Sequence, residues 1–306
     1  MERNPLLLTY SRVRQVTLES EATETHMQPQ RRTSIFLGSF GLLAAVLLAG
    51  CGGSASGGAS TTTAKADVKT APVSVKGVSK TALVDASTGR TLYIFVPDNA
   101  GKVNCTGGCA KAWPPLKASS TTPVGDAATP GTFGIVTGDG GAKQVTYNGV
   151  PLYFYANDKK AGDANGEGIN GVWFVATPKL QGIGAASSAA VQARKVTVAG
   201  KPAWVLTNSK GMTLYWYKPD SSSKVACTGG CAKAWPPSAA PTGALVSANP
   251  VPGTLGTIAN PAGGTMVTYN GHPLYTYIKD KKPGDVVGEN VGNVWFAATP
   301  DVATLQ

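Results

Sequence analysis

The sequence predicts an all-β protein made of two tandem, homologous, small β-rich domains, and three observations predict it. Glycine and proline number 38 and 21 among 306 residues, while charged residues are 14%, a composition that favours turns and short strands over helices. The segment CTGGCAKAWPP occurs twice unchanged, at Cys105 to Pro115 and at Cys227 to Pro237. The same offset of 122 residues carries Tyr93 onto Tyr215, Asp98 onto Asp220, Tyr147 onto Tyr269, Tyr153 onto Tyr275, Asp158 onto Asp280, Asp163 onto Asp285 and Trp173 onto Trp295. The copies align without a gap from about Lys80 to Pro178, which marks a tandem duplication.

At the N-terminus, Arg31 and Arg32 precede an uncharged run from Thr33 to Gly50 that ends Leu48-Ala49-Gly50-Cys51. A basic flank, an apolar stretch and small residues before a cysteine describe a signal peptide over 1–50. The polar segment ahead of Met27 is long for the start of such a peptide, whereas initiation at Met27 gives an ordinary length. The ending resembles the lipobox of bacterial lipoproteins. That resemblance implies cleavage before Cys51, acylation of Cys51 by diacylglycerol and palmitate, and a place on the outer face of the cell membrane. The alternative is a spanning helix, for which Thr33 to Gly50 lies at the short edge of what crosses a bilayer. Residues 51–72 are then a tether, since Gly, Ser, Thr and Ala build no core and leave the backbone flexible.

The formal charge of +10 becomes +9 once residues 1–50, with five Arg and four Glu, are set aside. A basic exterior suits membrane lipid, an anionic envelope polymer or another envelope protein. It does not point to nucleic acid, because the lysines are scattered and no recognition element accompanies them.

The domains are placed at 73–180 and 196–306, with 181–195 as a small, polar connector, read as a flexible linker in preference to a short helix. Within the first copy, Thr81 to Asp85 and Thr91 to Val96 read as a hairpin around Gly89. Cys109 to Trp113 reads as one helical turn stopped by Pro114-Pro115. Further strands are expected at Phe133 to Thr137, Lys143 to Tyr147, Pro151 to Tyr155 and Val172 to Ala176. Asn148-Gly149 and Asn270-Gly271 mark tight hairpin turns. Six short strands per copy suit a small sheet, a sandwich or a partly closed barrel. Trp113, Trp173, Trp235 and Trp295 recur in register and are expected in the core, whereas Trp204 and Trp216 belong to the second copy alone.

Four segments share one pattern, Tyr-x4-Asp: Tyr93 to Asp98, Tyr153 to Asp158, Tyr215 to Asp220 and Tyr275 to Asp280. With the WPP segments and the lipobox they resemble the secreted repeat of bacterial lipoproteins, a family without an established biochemical function. The resemblance implies location and architecture, and carries over no catalytic residue and no cofactor.

The chemistry-bearing residues are few. Cys105 with Cys109 and Cys227 with Cys231 are expected as structural disulfides closing short loops, as an oxidising exterior favours. A redox-active pair and a thiolate metal site are the alternatives. The motif carboxylates Asp98, Asp158, Asp220 and Asp280 read as caps of their own turns or as a ligand site. Asp163, Asn165 and Glu167 have the alternate spacing of a calcium loop, although Val287 replaces the asparagine in the second copy. No catalytic residue is assigned, since no hydrolase, nucleotide or metalloprotease fingerprint is present. The reading is a lipid-anchored structural or binding module of the envelope, set against a redox-associated lipoprotein and a metal-binding protein.

Overall fold

The computed structural model describes residues 65–305. The span read as a signal peptide, Cys51 and most of the span read as a tether lie outside the described residues. The first copy comprises β1 (Val68–Val75), β2 (Val78–Asp85), β3 (Tyr93–Phe95), α1 (Gly108–Ala112), β4 (Phe133–Thr137), β5 (Lys143–Tyr147), β6 (Val150–Pro151) and β7 (Trp173–Val175). The second repeats it as β8 (Gln192–Val198), β9 (Lys201–Thr207), β10 (Tyr215–Tyr217), α2 (Gly230–Ala234), β11 (Leu255–Ala259), β12 (Thr265–Tyr269), β13 (His272–Pro273) and β14 (Trp295–Ala297). Among the described residues no helix is long and apolar enough to cross a membrane.

Each copy contains seven strands, one more than expected, and the extra one begins inside the span read as tether. β1 pairs antiparallel with β2 along its whole length, turning at Lys76 and Gly77, both at positive φ. Pro72 interrupts its pattern in the sequence; as an edge strand whose one ladder is with β2, β1 tolerates that missing donor. The hairpin expected between β2 and β3 is reduced to one bridge, Val84 with Thr91. The β3 ladder forms instead with β7, far along the chain. Expectation is met at β4, β5 and α1, and Asn148-Gly149 and Asn270-Gly271 take the positive φ of a two-residue hairpin turn.

The gapless alignment needs one correction. Val84 bridges Thr91 in the first copy, but Thr207 bridges Thr213 in the second, so the first copy's turn is one residue longer. In that turn the Asp85 carboxylate accepts from the Ser87 hydroxyl and the Thr88 amide. Asn208 does the equivalent in the shorter turn, accepting from the amides of Lys210 and Met212. Ahead of the turn the strands therefore correspond one residue out of step with the rest.

A second repeat lies inside each copy. The Leu83 amide donates to Ala176 O, and the Val145 amide to Leu116 O, both at 2.8 Å. Likewise Val96 donates to Val172 O and Ala156 to Ala112 O, both at 2.9 Å. Tyr93 and Tyr153 close the pattern by exchanging backbone bonds with each other, at 2.8 and 3.0 Å. Each copy is thus two half-copies facing one another across a local twofold, each half made of a hairpin, a Tyr segment and a Trp segment.

The 181–195 segment is held, being neither free linker nor helix. Gly184 donates to Ser247 O at 2.9 Å, Gln181 bonds both backbone groups of Leu255, and Gln192 already begins β8. Backbone pairing with the second copy explains why its small residues do not leave it loose.

Packing is close where Gly166 and Gly288 meet aromatic rings. A Cβ added at Gly166 would stand 2.8 Å from Trp113 and Tyr93, and one at Gly288 would stand 2.7 Å from Trp235. Gly166→Ala is expected to cost about 1–3 kcal/mol through overpacking. Gly108→Ala, at a position with open space around it, should cost far less. Urea unfolding of the two variants measures the difference.

Candidate functional site

The four motif tyrosines reach across the local twofold to the motif aspartates of the opposite half. Tyr153 Oη donates to Asp98 Oδ2 and Tyr93 Oη to Asp158 Oδ2, both at 2.6 Å. In the second copy Tyr275 donates to Asp220 and Tyr215 to Asp280, both at 2.8 Å. The second oxygen of each carboxylate accepts a backbone amide from the following loop, that of Asn104, Asn165, Ala226 or Val287. Each aspartate therefore ties its own turn to a tyrosine of the other half. None of the four carboxylates lines either of the two larger clefts.

All four tyrosines are buried, the most exposed at 1%, and the aspartates are buried with them. Burial pushes Asp98 up to about 6, against the opposing pull of Tyr153 and the Asn104 amide. Burial likewise raises Asp220 and Asp280. The tyrosines are pushed well above their ordinary range, first by burial and then by the adjoining carboxylates.

Beside these pairs the aromatic side chains form a column. In the first copy it runs Phe95, Trp173, Trp113, Tyr155, with stacked ring centroids 4.2, 3.8 and 4.2 Å apart. In the second it runs Tyr217, Trp295, Trp235, Tyr277, at 4.3, 3.9 and 3.9 Å. The central tryptophans, one from each half, lie nearly parallel at 2° and 3°. The paired tyrosines meet the column edge-on: Tyr93 on Trp113 and Tyr153 on Trp173, then Tyr215 on Trp235 and Tyr275 on Trp295. The tryptophans fall in the core, as expected from their register.

The cysteines form two disulfides, Cys105–Cys109 and Cys227–Cys231. Cys105 and Cys227 are buried in the aromatic cores, so each bridge fixes the loop that feeds the short helix and the column tryptophan after it. Asp163, Asn165 and Glu167 are not gathered around a point. Asp163 accepts from the amides of Lys159 and Lys160, and these bonds hold its carboxyl below the usual range. Asn165 serves Asp158, and Glu167 accepts the Val175 amide and contacts Lys80. The Val287 amide makes the same bond to Asp280 that the Asn165 amide makes to Asp158, which explains why the asparagine side chain is dispensable there. Among the described residues no cluster of three or more His, Cys, Asp or Glu is placed to hold a metal ion. His272 bonds Ala303 O at 2.9 Å, and burial lowers its pKa.

Two open clefts lie between the copies. One, of about 1050 Å³, is walled by Lys80, Phe174 and Lys179 on one side and Leu255, Asn270 and Asp301 on the other. The second, of about 890 Å³, separates Phe95, Trp113 and Trp173 from Lys195 and Trp204.

A family model described as a secreted repeat of unknown function matches residues 74–117, 134–177, 196–239 and 256–299, more than half of the chain. The chain belongs to this secreted-repeat family. No curated protein and no solved structure matches it. The four matches set the family's unit at the half-copy seen in the fold, so the chain holds four secreted repeats, paired two by two, where the sequence suggested a simple duplication. Each repeat contributes one Tyr-x4-Asp and one column tryptophan, and the crossed bond joins Tyr of one repeat to Asp of its mate.

The sequence does not by alternation alone join Phe95, Tyr155, Tyr217 and Tyr277, the outer rings of the columns, to the tryptophans. The signal it does carry is that each lies two residues after a motif tyrosine and so points to the same face of the strand.

Tyr153→Phe removes one donor from a buried carboxylate and should cost about 2–3 kcal/mol in chemical unfolding. Asp98 binds its proton more tightly folded than unfolded, where its pKa is about 3.9. The stabilisation this provides is complete below about pH 4 and is lost as pH rises to about 6. Unfolding free energy measured across that window should fall by up to about 3 kcal/mol, and Asp98→Asn should flatten the slope.

Proposed function

We propose that the protein is a lipid-anchored, extracytoplasmic envelope protein, held through Cys51, whose domains at 73–180 and 196–306 form a rigid binding module. The observation that carries this reading is the internal use of the motif's polar atoms. Phenols and carboxylates that a catalytic site would present to a substrate are bonded to one another in the core. The motif thereby serves as scaffold, and recognition falls to the clefts between the copies. In the larger cleft Lys80 contacts Glu167 and Lys179 faces Asp301, so the cleft is balanced in charge, and it is the basic charge of the whole chain that suits an anionic envelope polymer or an acidic face of another envelope protein.

Palmitate labelling and detergent partition test the anchor. The protein should follow the membrane fraction, and Cys51→Ser should release it as unlabelled, folded protein. Cosedimentation with purified anionic wall polymer tests the binding role; binding should weaken with salt as charge screening increases. The buried Cys105 and Cys227 support structural bridges, so both disulfides should show reduction potentials below about −300 mV. A potential near −200 mV would instead favour a redox role for the pairs.

A further inference from the structure

We infer that the aromatic column with its crossed Tyr–Asp pairs is a one-electron relay, passing an oxidising equivalent from a surface oxidant to a buried tyrosine whose proton is taken by its aspartate. The inference does not depend on the lipid anchor or on polymer binding.

Three features of the second copy carry it. Four oxidisable rings, Tyr217, Trp295, Trp235 and Tyr277, stand in face-to-face contact with no gap. The chain is open at one end: Tyr217 is half-buried, while Trp295 and Trp235 are 4% and 5% exposed. Most tellingly, Tyr215 and Tyr275, which touch the column edge-on, each donate to a buried carboxylate at 2.8 Å. Removing an electron from a buried phenol leaves a cation that a low-dielectric interior strongly disfavours unless the proton departs with it. A carboxylate already accepting that hydrogen is where the proton goes. Packing alone would have been met by any large apolar side chain, and bracing alone needs no oxidisable ring beside the pair.

The step balances. A high-potential one-electron oxidant, such as a ferryl species or an oxidised metal complex, docks at the half-buried Tyr217 ring and takes one electron from Trp295 stacked behind it, and the hole is shared with Trp235. Tyr215 supplies an electron, its O–H bond breaks, and the proton moves to Asp280 Oδ2, forming a neutral phenoxyl radical and a neutral carboxylic acid. Tyr275 and Asp220 are equivalent from Trp295. An external one-electron reductant, such as a thiol or an ascorbate-like enediol, restores the phenol, and Asp280 returns the proton. Lys279 Nζ stands 6.0 Å over Tyr277, and its positive charge disfavours a hole on that ring, biasing it toward the paired tyrosines. In the first copy Phe95 replaces the outer tyrosine, so entry there falls to Tyr155 at the opposite end.

Flash photolysis of the mature chain with tris(bipyridine)ruthenium and a sacrificial electron acceptor tests this, read by transient absorption and electron paramagnetic resonance. The expected result is a tryptophanyl signal that decays as a tyrosyl signal grows, with growth slowed in D2O. The double variant Trp173→Phe/Trp295→Phe keeps a ring in each stack and should lower tyrosyl yield at least about tenfold. Asp220→Asn/Asp280→Asn keeps an oxygen acceptor but removes the base, and should leave more of the hole on tryptophan. Tyrosyl formation in the unsubstituted chain that shows no tryptophanyl precursor and no slowing in D2O would overturn the inference, whatever the folding of the variants. Unchanged tyrosyl yield in the folded tryptophan variant would overturn it as well.

Discussion

A buried phenol donating to a buried carboxylate is the contact on which each copy depends. Neither partner is placed by its own half alone. The tyrosine sits in an extended segment of one repeat, and the aspartate closes a turn of the other. A buried carboxylate without donors is costly, so the two repeats must face each other for either turn to be satisfied. The crossed bonds therefore act as a docking rule as well as a brace. They also account for the spacing within Tyr-x4-Asp, which lets a strand residue and the turn that follows it engage the same mate.

The other features of the copy follow from that rule. The local twofold brings Trp113 against Trp173 and Trp235 against Trp295. The aromatic residues two positions after each motif tyrosine then cap the pair at both ends. Gly166 and Gly288 let the backbone pass close to these rings, and the disulfides hold the loops that deliver Trp113 and Trp235. Asp163 and Glu167, which in sequence have the spacing of metal ligands, instead accept amides and shape the turns around this assembly.

The two copies have diverged where this assembly does not constrain them. The turn between β2 and β3 is one residue longer than its counterpart, and Thr81 occupies the structural position of Trp204. That tryptophan packs on the first copy's core and forms one wall of the smaller cleft. Of these differences, Trp204 lies at the surface where the copies face each other.

Local signals were readable from the chain: β4 and β5 to the residue, the Asn-Gly turns, the helical turn after the cysteines, the disulfide loops and the burial of the four recurring tryptophans. Each depends on neighbours in sequence, on alternation, turn chemistry or a short ring closure. β1 was hidden because proline and small residues mask an edge strand, and β3 was assigned to the wrong partner because its ladder is made with a strand far away in the chain. The repeated motif and the chemistry available to it, an acid and a phenol in each unit, are written in the chain. That these groups bond across repeats, and that the tryptophans between them stack, comes from the packing in three dimensions. Pairing of residues dozens of positions apart is set by how two half-copies pack, and no local pattern carries that information.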